Sequence, residues 1–154
     1  MSDPETLIAC HGLQPHPEGG WYRETWRAEA APDERSPGTA ILFLLEEGQS
    51  SHWHRVDAEE LWFWHAGAPL DLRIGRETVT LDGVNPQARV PAGEWQAAKA
   101  RDGWAFVSCV VVPGFDFAGF TLAPPGWEPA DPHPTSPPRG EEYYAGTCAS
   151  SQVG

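Results

Sequence analysis

The sequence predicts an all-β sandwich or barrel preceded by one short helix. Sixteen glycines and sixteen prolines in 154 residues put turns throughout the chain and leave little room for long helices. From about residue 11 to residue 123, no segment shows a convincing helical pattern. Short runs of β-branched, aromatic and aliphatic residues alternate there with turn residues, as in proteins built from many short antiparallel strands.

The helix is predicted at the N-terminus, from Pro4 to about Cys10. Asp3 is a suitable N-cap residue, and proline is favoured at the first helical position. Eight strands follow, and Gly75-Arg76 predicts a tight hairpin turn between two of them. The predicted strands lie at residues 20–26, 39–45, 52–55, 61–65, 70–74, 77–81, 104–112 and 115–122.

The composition divides the chain into two parts. Residues 1–123 contain all the predicted strands and form one domain. In residues 124–154, prolines alternate with polar residues, which predicts an extended and flexible tail rather than a second packed domain.

The charge and the cysteine content limit which partners and which compartment we expect. Ten basic and 22 acidic residues give a formal net charge of −12, which argues against binding to nucleic acids or anionic membranes. The chain has neither an apolar run of about 20 residues, as a membrane span needs, nor a secretory signal. Its three cysteines, Cys10, Cys109 and Cys148, are odd in number and far apart, so we expect no disulfide framework and a cytoplasmic location.

Two of the predicted strands are apolar on both faces. In 39–45 and in 104–112, the residues that point to either side of the strand are mostly aliphatic or aromatic. An antiparallel strand with one solvated face alternates apolar and polar residues instead. A homodimer would cover the second face, and a tightly closed sandwich is the alternative.

A group of chemically reactive side chains lies near the middle of the chain. On a regular strand His52 and His54 point to the same side, so two imidazoles can converge on one point. Glu60 begins the next predicted strand and can complete the group. Two histidines and one carboxylate match the ligand set of non-haem iron, and a metal held in this way keeps a net positive charge. Such a site favours an anionic or carbonyl-bearing ligand.

The neighbouring acid Glu59 is an alternative to Glu60. If Glu60 faces inward, Trp62 and Trp64 share its face and form an aromatic wall. If Glu59 faces inward, the residues on its face are Leu61, Phe63 and His65. We favour Glu60, because it surrounds the site with indole rings.

Two motifs link the chain to a known superfamily. The first consists of a glycine, a His-x-His pair, a glutamate and a second glycine, here Gly48, His52, His54, Glu60 and Gly67. The second matches at Gly83 and at 91–93, with Gln96 in its histidine position and Ala100 in its asparagine position. Further segments, at 13–25, 66–70, 90–96 and 112–117, narrow the match. On these residues the chain resembles the cupins, and within them the cupin-5 subfamily, over about residues 4–123.

The resemblance implies a fold and a ligand set. The fold is an antiparallel double-stranded β-helix, the cupin jelly-roll barrel, with a short N-terminal helix added here. Many cupins bind a metal through three histidines and one glutamate. The corresponding residues are His52, His54 and Glu60, with Gln96 where the third imidazole stands. The implied cofactor is one divalent metal ion, Fe, Mn, Ni or Zn.

Three functions are compatible with such a site. The first is a metal-dependent isomerase, lyase or dioxygenase acting on a small carbonyl or carboxylate compound. The second is a metal-free enzyme similar to sugar-nucleotide epimerases, with an imidazole of His52 or His54 as base and Tyr22 as acid. The third is a ligand-binding module without turnover. For the ligand contacts we expect Glu18, Trp62, Trp64 and Trp95.

Overall fold

Two antiparallel β-sheets face each other in the computed structural model, which describes residues 3–129. This architecture confirms the predicted all-β fold, an antiparallel double-stranded β-helix with a short N-terminal helix. Residues 130–154, which make up most of the predicted tail, lie outside the described part of the chain. Within the described residues, no helix is long and apolar enough to cross a membrane.

The elements follow one another with short connections. One helix, α1, spans Pro4–His11, and a 3₁₀ turn spans Phe117–Gly119. The strands are β1 (Gln14–Pro15), β2 (Trp21–Arg27), β3 (Thr39–Leu45), β4 (Ser50–Val56), β5 (Glu59–Gly67), β6 (Leu70–Ile74), β7 (Glu77–Leu81), β8 (Gln87–Val90), β9 (Gln96–Ala100), β10 (Ala105–Val112) and β11 (Phe120–Leu122). The six-stranded sheet has the order β1-β2-β3-β10-β5-β8, and the five-stranded sheet the order β11-β4-β9-β6-β7.

The helix begins and ends at the expected kinds of residue. The Asp3 side chain accepts a hydrogen bond from the Thr6 backbone N–H, and Pro4 occupies the first helical position. Gly12 ends the helix in the left-handed conformation at φ 63°, and its N–H bonds to the carbonyl of Ile8. Leu7 then packs in one cluster with Leu44 and other residues of the six-stranded sheet, so α1 covers one end of that sheet's outer face.

The space between the sheets is filled by aliphatic and aromatic side chains from both. Phe43 and Leu45 of β3, Trp62 of β5 and Leu70 and Leu72 of β6 are each no more than 1 % exposed. The hairpin predicted at Gly75-Arg76 connects β6 to β7, with Ile74 paired to Glu77. This core fixes the position of the strands that line the functional cavity.

Three segments differ from the sequence prediction. Strands β1, β8 and β9 were not predicted; β9 reads Gln-Ala-Ala-Lys-Ala, which has little intrinsic preference for a strand, so its neighbours in the sheet decide its conformation. The strand predicted at 115–122 is wrong over its first half, because Asp116 accepts a hydrogen bond from the Ala118 backbone and caps the 3₁₀ turn.

The first residues of the predicted tail pack on the five-stranded sheet. The Ala123 backbone N–H bonds to the carbonyl of Trp53, and the Trp127 ring packs against Trp53 and Trp95. Residues up to Glu128 therefore contact the domain, although the composition places them beyond its boundary at 123.

Candidate functional site

A cavity of about 520 Å³ opens between the two sheets. Strands β2, β3, β5 and β10 line it from one sheet, and β4 lines it from the other. Four buried polar side chains lie at its inner end, and we call them the polar floor: His16, Glu18, His54 and Glu60. Their exposed fractions are all below 10 %, so each of them is largely removed from water.

A β-bulge in β4 decides which side chains reach the polar floor. Ser51 pairs with Ala98 and His54 with Gln96, so three steps along β4 correspond to two along β9. Ser51 and His54 therefore both face inward, and His52 and Trp53 face outward between them. The His52 Nε2–H donates to the carbonyl of Pro124, at 2.9 Å, on the outer side.

The prediction that His52 and His54 converge on one point is therefore wrong. It assumed a regular strand, on which residues two apart share a face. The extra residue of the bulge reverses the side of His52 while leaving His54 inside. Of the predicted metal ligands His52, His54 and Glu60, the structure brings only His54 and Glu60 to the cavity.

A glycine-rich loop brings Glu18 to the place that His52 was expected to take. The loop follows β1, and its Glu18 carbonyl accepts a hydrogen bond from the His52 backbone N–H at 2.7 Å. Gly19 has φ +110°, and a Cβ at this position would lie 2.1 Å from the Ser50 carbonyl oxygen. Only glycine allows this close approach, which brings the carboxyl group of Glu18 against His54.

Hydrogen bonds fix the protonation of the two imidazoles. The His54 Nδ1 lies 2.7 Å from the carbonyl oxygen of His52, which can only accept, so Nδ1 carries the hydrogen. The His16 Nδ1 accepts the Glu18 backbone N–H at 3.1 Å, so in the neutral ring its Nε2 carries the hydrogen. The nitrogen atoms that face Glu18 are therefore both unprotonated in the neutral rings.

The Glu18 carboxyl group lies between these two bases. Its Oε1 is 3.4 Å from His16 Nδ1 and 3.5 Å from His54 Nε2. Its Oε2 accepts a hydrogen bond from the Ser51 hydroxyl group. The lone pair of His54 Nε2 can accept a proton carried by Oε1, whereas that of His16 Nδ1 is taken by the Glu18 backbone N–H. A carboxylate would face both nitrogen atoms without a hydrogen between them, so the geometry favours the protonated carboxyl group.

Burial favours the neutral form of every side chain in the polar floor, so it raises the pKa of the carboxyl groups and lowers the pKa of the imidazoles. It raises the pKa of Glu18 to about 8 and that of Glu60 to about 7, although His54 and the Gln96 amide act against the shift of Glu60. It lowers the pKa of His16 to about 4 and also lowers the pKa of His54. At neutral pH the polar floor therefore holds neutral imidazoles and two carboxyl groups, whose pKa values near 7 and 8 allow them to gain and lose protons.

Gln96 does not present its oxygen to the cavity. The Trp62 indole N–H donates to Gln96 Oε1 at 2.9 Å, and since an indole nitrogen only donates, this fixes the orientation of the amide. The amide nitrogen then donates to Glu60 Oε1, also at 2.9 Å. The Gln96 oxygen therefore points at the Trp62 indole, and its role as a metal ligand stays a prediction.

The three tryptophans predicted to contact the ligand do not line the cavity. Trp62 is buried in the core with its N–H on Gln96, and the Trp64 N–H donates to the carbonyl of Ala68. Trp95 lies on the other side of the five-stranded sheet, against Trp127 and the guanidinium of Arg55. Trp62 and Trp64 have the predicted facing, since both pack in the core between the sheets.

The remaining predicted residues do line the cavity. Tyr22 of β2 packs edge-on against the His16 ring, with centroids 4.5 Å apart. Glu60 faces inward, whereas Glu59 faces outward and accepts the Ala92 backbone N–H. His16 was not predicted as a site residue, and a histidine two positions before a glutamate in a Gly-Gly loop is the signal that could have indicated it.

The exposed part of the lining forms a charged rim, made of Glu24, Arg27, Glu34, Arg35 and Asp116. Arg35 makes a bidentate pair with Asp57, at 2.7 and 3.0 Å, and also donates to the carbonyl of Gly114. Arg27 pairs with Glu24 at 2.6 Å and donates to the carbonyl of Phe115. The two guanidiniums thus hold the loop that follows β10 over the cavity.

The donor set does not fit the divalent metal ion that the cupin resemblance implies. Two of the four predicted ligands do not point into the cavity, since His52 faces outward and the Gln96 oxygen points at the Trp62 indole. Within residues 3–129, no group of three or more His, Cys, Asp or Glu side chains is arranged to hold a metal ion.

Comparison with known proteins identifies the family. The model of the family described as Cupin_5, of the cupin superfamily (DUF985), matches residues 5–123. The chain belongs to the cupin-5 family. This confirms the resemblance found in the sequence. No curated protein matches the chain.

Solved structures of similar proteins agree with this cupin-5 assignment. A protein from Shewanella oneidensis is 37 % identical, with a TM-score of 0.72, over 80 % of this chain and 85 % of its own. A hypothetical protein from Leishmania major is 29 % identical, with a TM-score of 0.71, over 79 % of this chain and 88 % of its own. A variant of oxalate decarboxylase from Bacillus subtilis, at 17 % identity and a TM-score of 0.56, shares the fold over 71 % of this chain and 29 % of its own. Family and cavity together make this a cupin-type small-molecule-binding protein.

The metal content of the purified protein tests the donor geometry. We expect protein prepared without an affinity tag to contain far less than one metal ion per chain, because no three His, Cys, Asp or Glu side chains within residues 3–129 are arranged to hold one. Elemental analysis of the wild-type protein and of the His54→Ala and His52→Ala variants measures this. About one metal ion per chain, lost in His54→Ala, would contradict the geometry.

The stability of the protein should fall as the pH rises from about 6.5 to about 8. A carboxyl group whose pKa is raised from 4.5 to about 8 stabilises the fold fully below pH 4.5 and loses this contribution as the pH rises through 8. The buried histidines change the stability only below pH 6.5, which is the ordinary pKa of histidine. Each proton lost contributes up to about 1.4 kcal/mol per pH unit to the slope.

The Glu18→Gln variant should flatten this slope, because it removes the titrating group and keeps its shape. Urea denaturation at pH 6.5, 7, 7.5 and 8 gives the free energy of unfolding for each protein. Glu77→Gln, an exposed change on β7, is the matched control and should keep the wild-type slope. An unchanged slope in Glu18→Gln would show that Glu18 does not carry the effect.

Proposed function

We propose that this cupin catalyses a metal-independent proton transfer on a small carbonyl compound bound in the cavity. The observation that supports this proposal most is the placement of an unprotonated His54 Nε2 3.5 Å from the Glu18 carboxyl group, at the buried end of the cavity. A base with a free lone pair beside a buried carboxyl group whose pKa is raised to about 8 provides the two groups that general acid–base catalysis needs. The metal-free function predicted as an alternative is thus favoured over the metal-dependent one.

His54 is the proposed base. Its Nδ1–H is held by the backbone carbonyl of His52, which leaves Nε2 free to accept a proton from a C–H bond next to the substrate carbonyl. The electron pair of that bond moves to the carbonyl oxygen, and the imidazole becomes cationic. Negative charge on the nearby Glu60 favours this cation, since the Glu60 carboxylate acts to raise the pKa of His54.

Tyr22 and Glu18 are the proposed proton donors. Tyr22 comes from β2, in the sheet opposite β4, so its hydroxyl can return a proton to the other face of the carbon, as an epimerisation requires. Glu18 carries a proton beside His54 and can donate it to the oxygen on which charge develops. As the carbon receives the proton of Tyr22, the enol oxygen gives its proton back to Glu18 and the carbonyl group re-forms. The proton on His54 then passes through solvent to the Tyr22 phenolate, which restores the starting state.

Solvent deuterium exchange tests this proposal without knowledge of the natural substrate. The protein is incubated in D2O with a panel of aldoses, ketoses and small ketones, and incorporation of deuterium next to the carbonyl is followed by NMR. We expect exchange in at least one compound, reduced by about 10² or more in His54→Ala and also reduced in Glu18→Gln and Tyr22→Phe.

The control is His52→Ala on the same strand, whose side chain lies outside the cavity and whose backbone carbonyl is retained. It should exchange like the wild-type protein. Circular dichroism shows whether His54→Ala is folded. If that variant is unfolded, Tyr22→Phe, which removes only a hydroxyl group, still tests the proposal. Binding without exchange would leave a ligand-binding module, and equal losses in His52→Ala and His54→Ala would contradict the roles assigned here.

We also propose that two copies of the chain pair through the outer face of the six-stranded sheet. Half-buried side chains, apolar except for Ser108, form two adjacent rows across β3, β10 and β5 there: Ala40, Val110 and Leu61 in one row, and Leu42, Ser108 and Phe63 in the next. The helix α1 covers only the neighbouring end of this face. A second copy offers the same apolar rows, and a two-fold axis would bring them together.

A lysine in these rows should separate the two copies. We expect the wild-type protein to show twice the chain mass of 16.8 kDa in size-exclusion chromatography with light scattering, and Val110→Lys to show the single mass. Thr78→Lys, exposed on β7 of the other sheet, is the control and should remain dimeric. A wild-type mass of 16.8 kDa would exclude the dimer.

The proposed compartment is the cytoplasm, as predicted from the cysteine content. The thiols of Cys10 and Cys109, the two cysteines in the described part of the chain, are both free, which supports a reducing environment.

A further inference from the structure

We infer that the ligand of this cavity carries no negative charge, so that the substrate is an uncharged or cationic carbonyl compound rather than a carboxylate or phosphate. The inference rests on the proposed function, because it concerns the substrate of the same cavity. It differs from the sequence prediction, in which a bound metal ion would attract an anion.

The inner end of the cavity offers no positive charge to an anion. Its carboxyl groups belong to Glu18 and Glu60, and its two imidazoles are kept neutral by burial and by their hydrogen bonds. An anionic group placed here would face either a carboxylate or a carboxyl group that it prevents from ionising. The ionised form repels the anion, and the protonated form offers it a hydrogen bond without a compensating positive charge.

The two arginines of the rim already form hydrogen bonds and ion pairs within the protein. Arg35 gives two N–H groups to Asp57 and a third to the Gly114 carbonyl, and Arg27 pairs with Glu24 and with the Phe115 carbonyl. The Asp57 carboxylate balances the charge of Arg35, which weakens the attraction of this guanidinium for an anion. In the part of the chain that the structure describes, the lining contains no lysine.

Two further acids at the rim, Glu34 and Asp116, make no ion pair within residues 3–129, although the charge of Asp116 acts on Arg35. Glu34 has no side-chain partner within residues 3–129, and Asp116 accepts only the backbone N–H of Ala118. Five acids thus line the cavity against two arginines. Because the rim is the entrance, these charges oppose an anion before it arrives.

Aromatic rings complete a lining that suits a cation or a neutral polar molecule. Tyr22, Phe115 and Phe117 line the cavity, and the faces of aromatic rings attract ammonium groups. Carboxyl groups together with aromatic rings recognise amines, and the same groups hydrogen-bond to uncharged hydroxyl or amide groups. No comparable feature of the lining favours a carboxylate.

Matched pairs of ligands test the inference. A fragment library is assembled in which every carboxylic acid has its primary amide and its primary amine as partners of nearly the same shape. Binding is followed in ¹H–¹⁵N spectra of the whole protein, and a ligand is assigned to the cavity when it shifts the backbone amides of His54 and Glu60. We expect each acid to bind at least about tenfold more weakly than its amide.

Reversing one charge at the rim tests whether the rim charges cause the difference in affinity between acids and amides. Glu34→Lys should narrow the difference between acid and amide, since it replaces an unpartnered acid at the entrance with a cation. Glu77→Lys changes the net charge by the same amount at an exposed site on β7 outside the cavity, and should leave the difference unchanged. An equal effect of both variants would assign the selectivity to the net charge of −12 and overturn the inference.

The remaining outcomes also decide the matter. Acids that bind as tightly as their amides, or a library without a single cavity ligand, would overturn the inference. Deuterium exchange in carboxylate substrates would overturn it while leaving the proposed reaction intact. Weak binding of acids together with an absence of exchange would support the inference and contradict the proposed reaction.

Discussion

The bulge in β4 is the constraint on which the rest of the site depends. One extra residue between Ser51 and His54 places both of these side chains inside, and leaves His52 outside against the carbonyl of Pro124. Without it, two imidazoles would share one face and the ligand set of a metal-binding cupin would be nearly complete. With it, His54 has carboxyl groups as neighbours, and the chemistry of the cavity becomes that of proton transfer.

The polar floor is stable because each buried group has a partner for its neutral form. Burying two ionised carboxylates would cost several kcal/mol each, and protonation removes this penalty. Glu18 can share its proton with His54 Nε2, and Glu60 receives a hydrogen bond from Gln96, which Trp62 holds in orientation. Burial would destabilise the fold if these carboxyl groups were ionised, and the same burial raises their pKa values to near the working pH.

Much of the fold could be predicted from the sequence, whereas the site could be predicted only in part. The strands 39–45, 70–74 and 77–81 match β3, β6 and β7 residue for residue, because a continuous apolar run marks the first and alternating apolar and polar residues mark the other two. Strand β9 has no such mark and forms because its neighbours impose it.

The errors in the site arise from contacts between distant segments. The segment Ser51-His52-Trp53-His54 contains no glycine or proline that would indicate a bulge, so a regular strand was the natural assumption. The orientation of Gln96 depends on Trp62 from another strand, and the position of Glu18 depends on the approach of a loop to Ser50. Glu18, Tyr22, His54 and Glu60 reach the cavity as residue type and spacing suggested, while His16 joins them through tertiary structure alone.

The protonation of the two buried imidazoles tests the central claim most directly. A long-range ¹H–¹⁵N correlation spectrum of the histidine side chains at pH 7, assigned with His16→Gln and His54→Gln variants, reports which nitrogen of each ring carries a proton. We expect both rings to be neutral, with the hydrogen on Nδ1 in His54 and on Nε2 in His16. A His54 ring with its hydrogen on Nε2, or a doubly protonated His16, would contradict the arrangement described here.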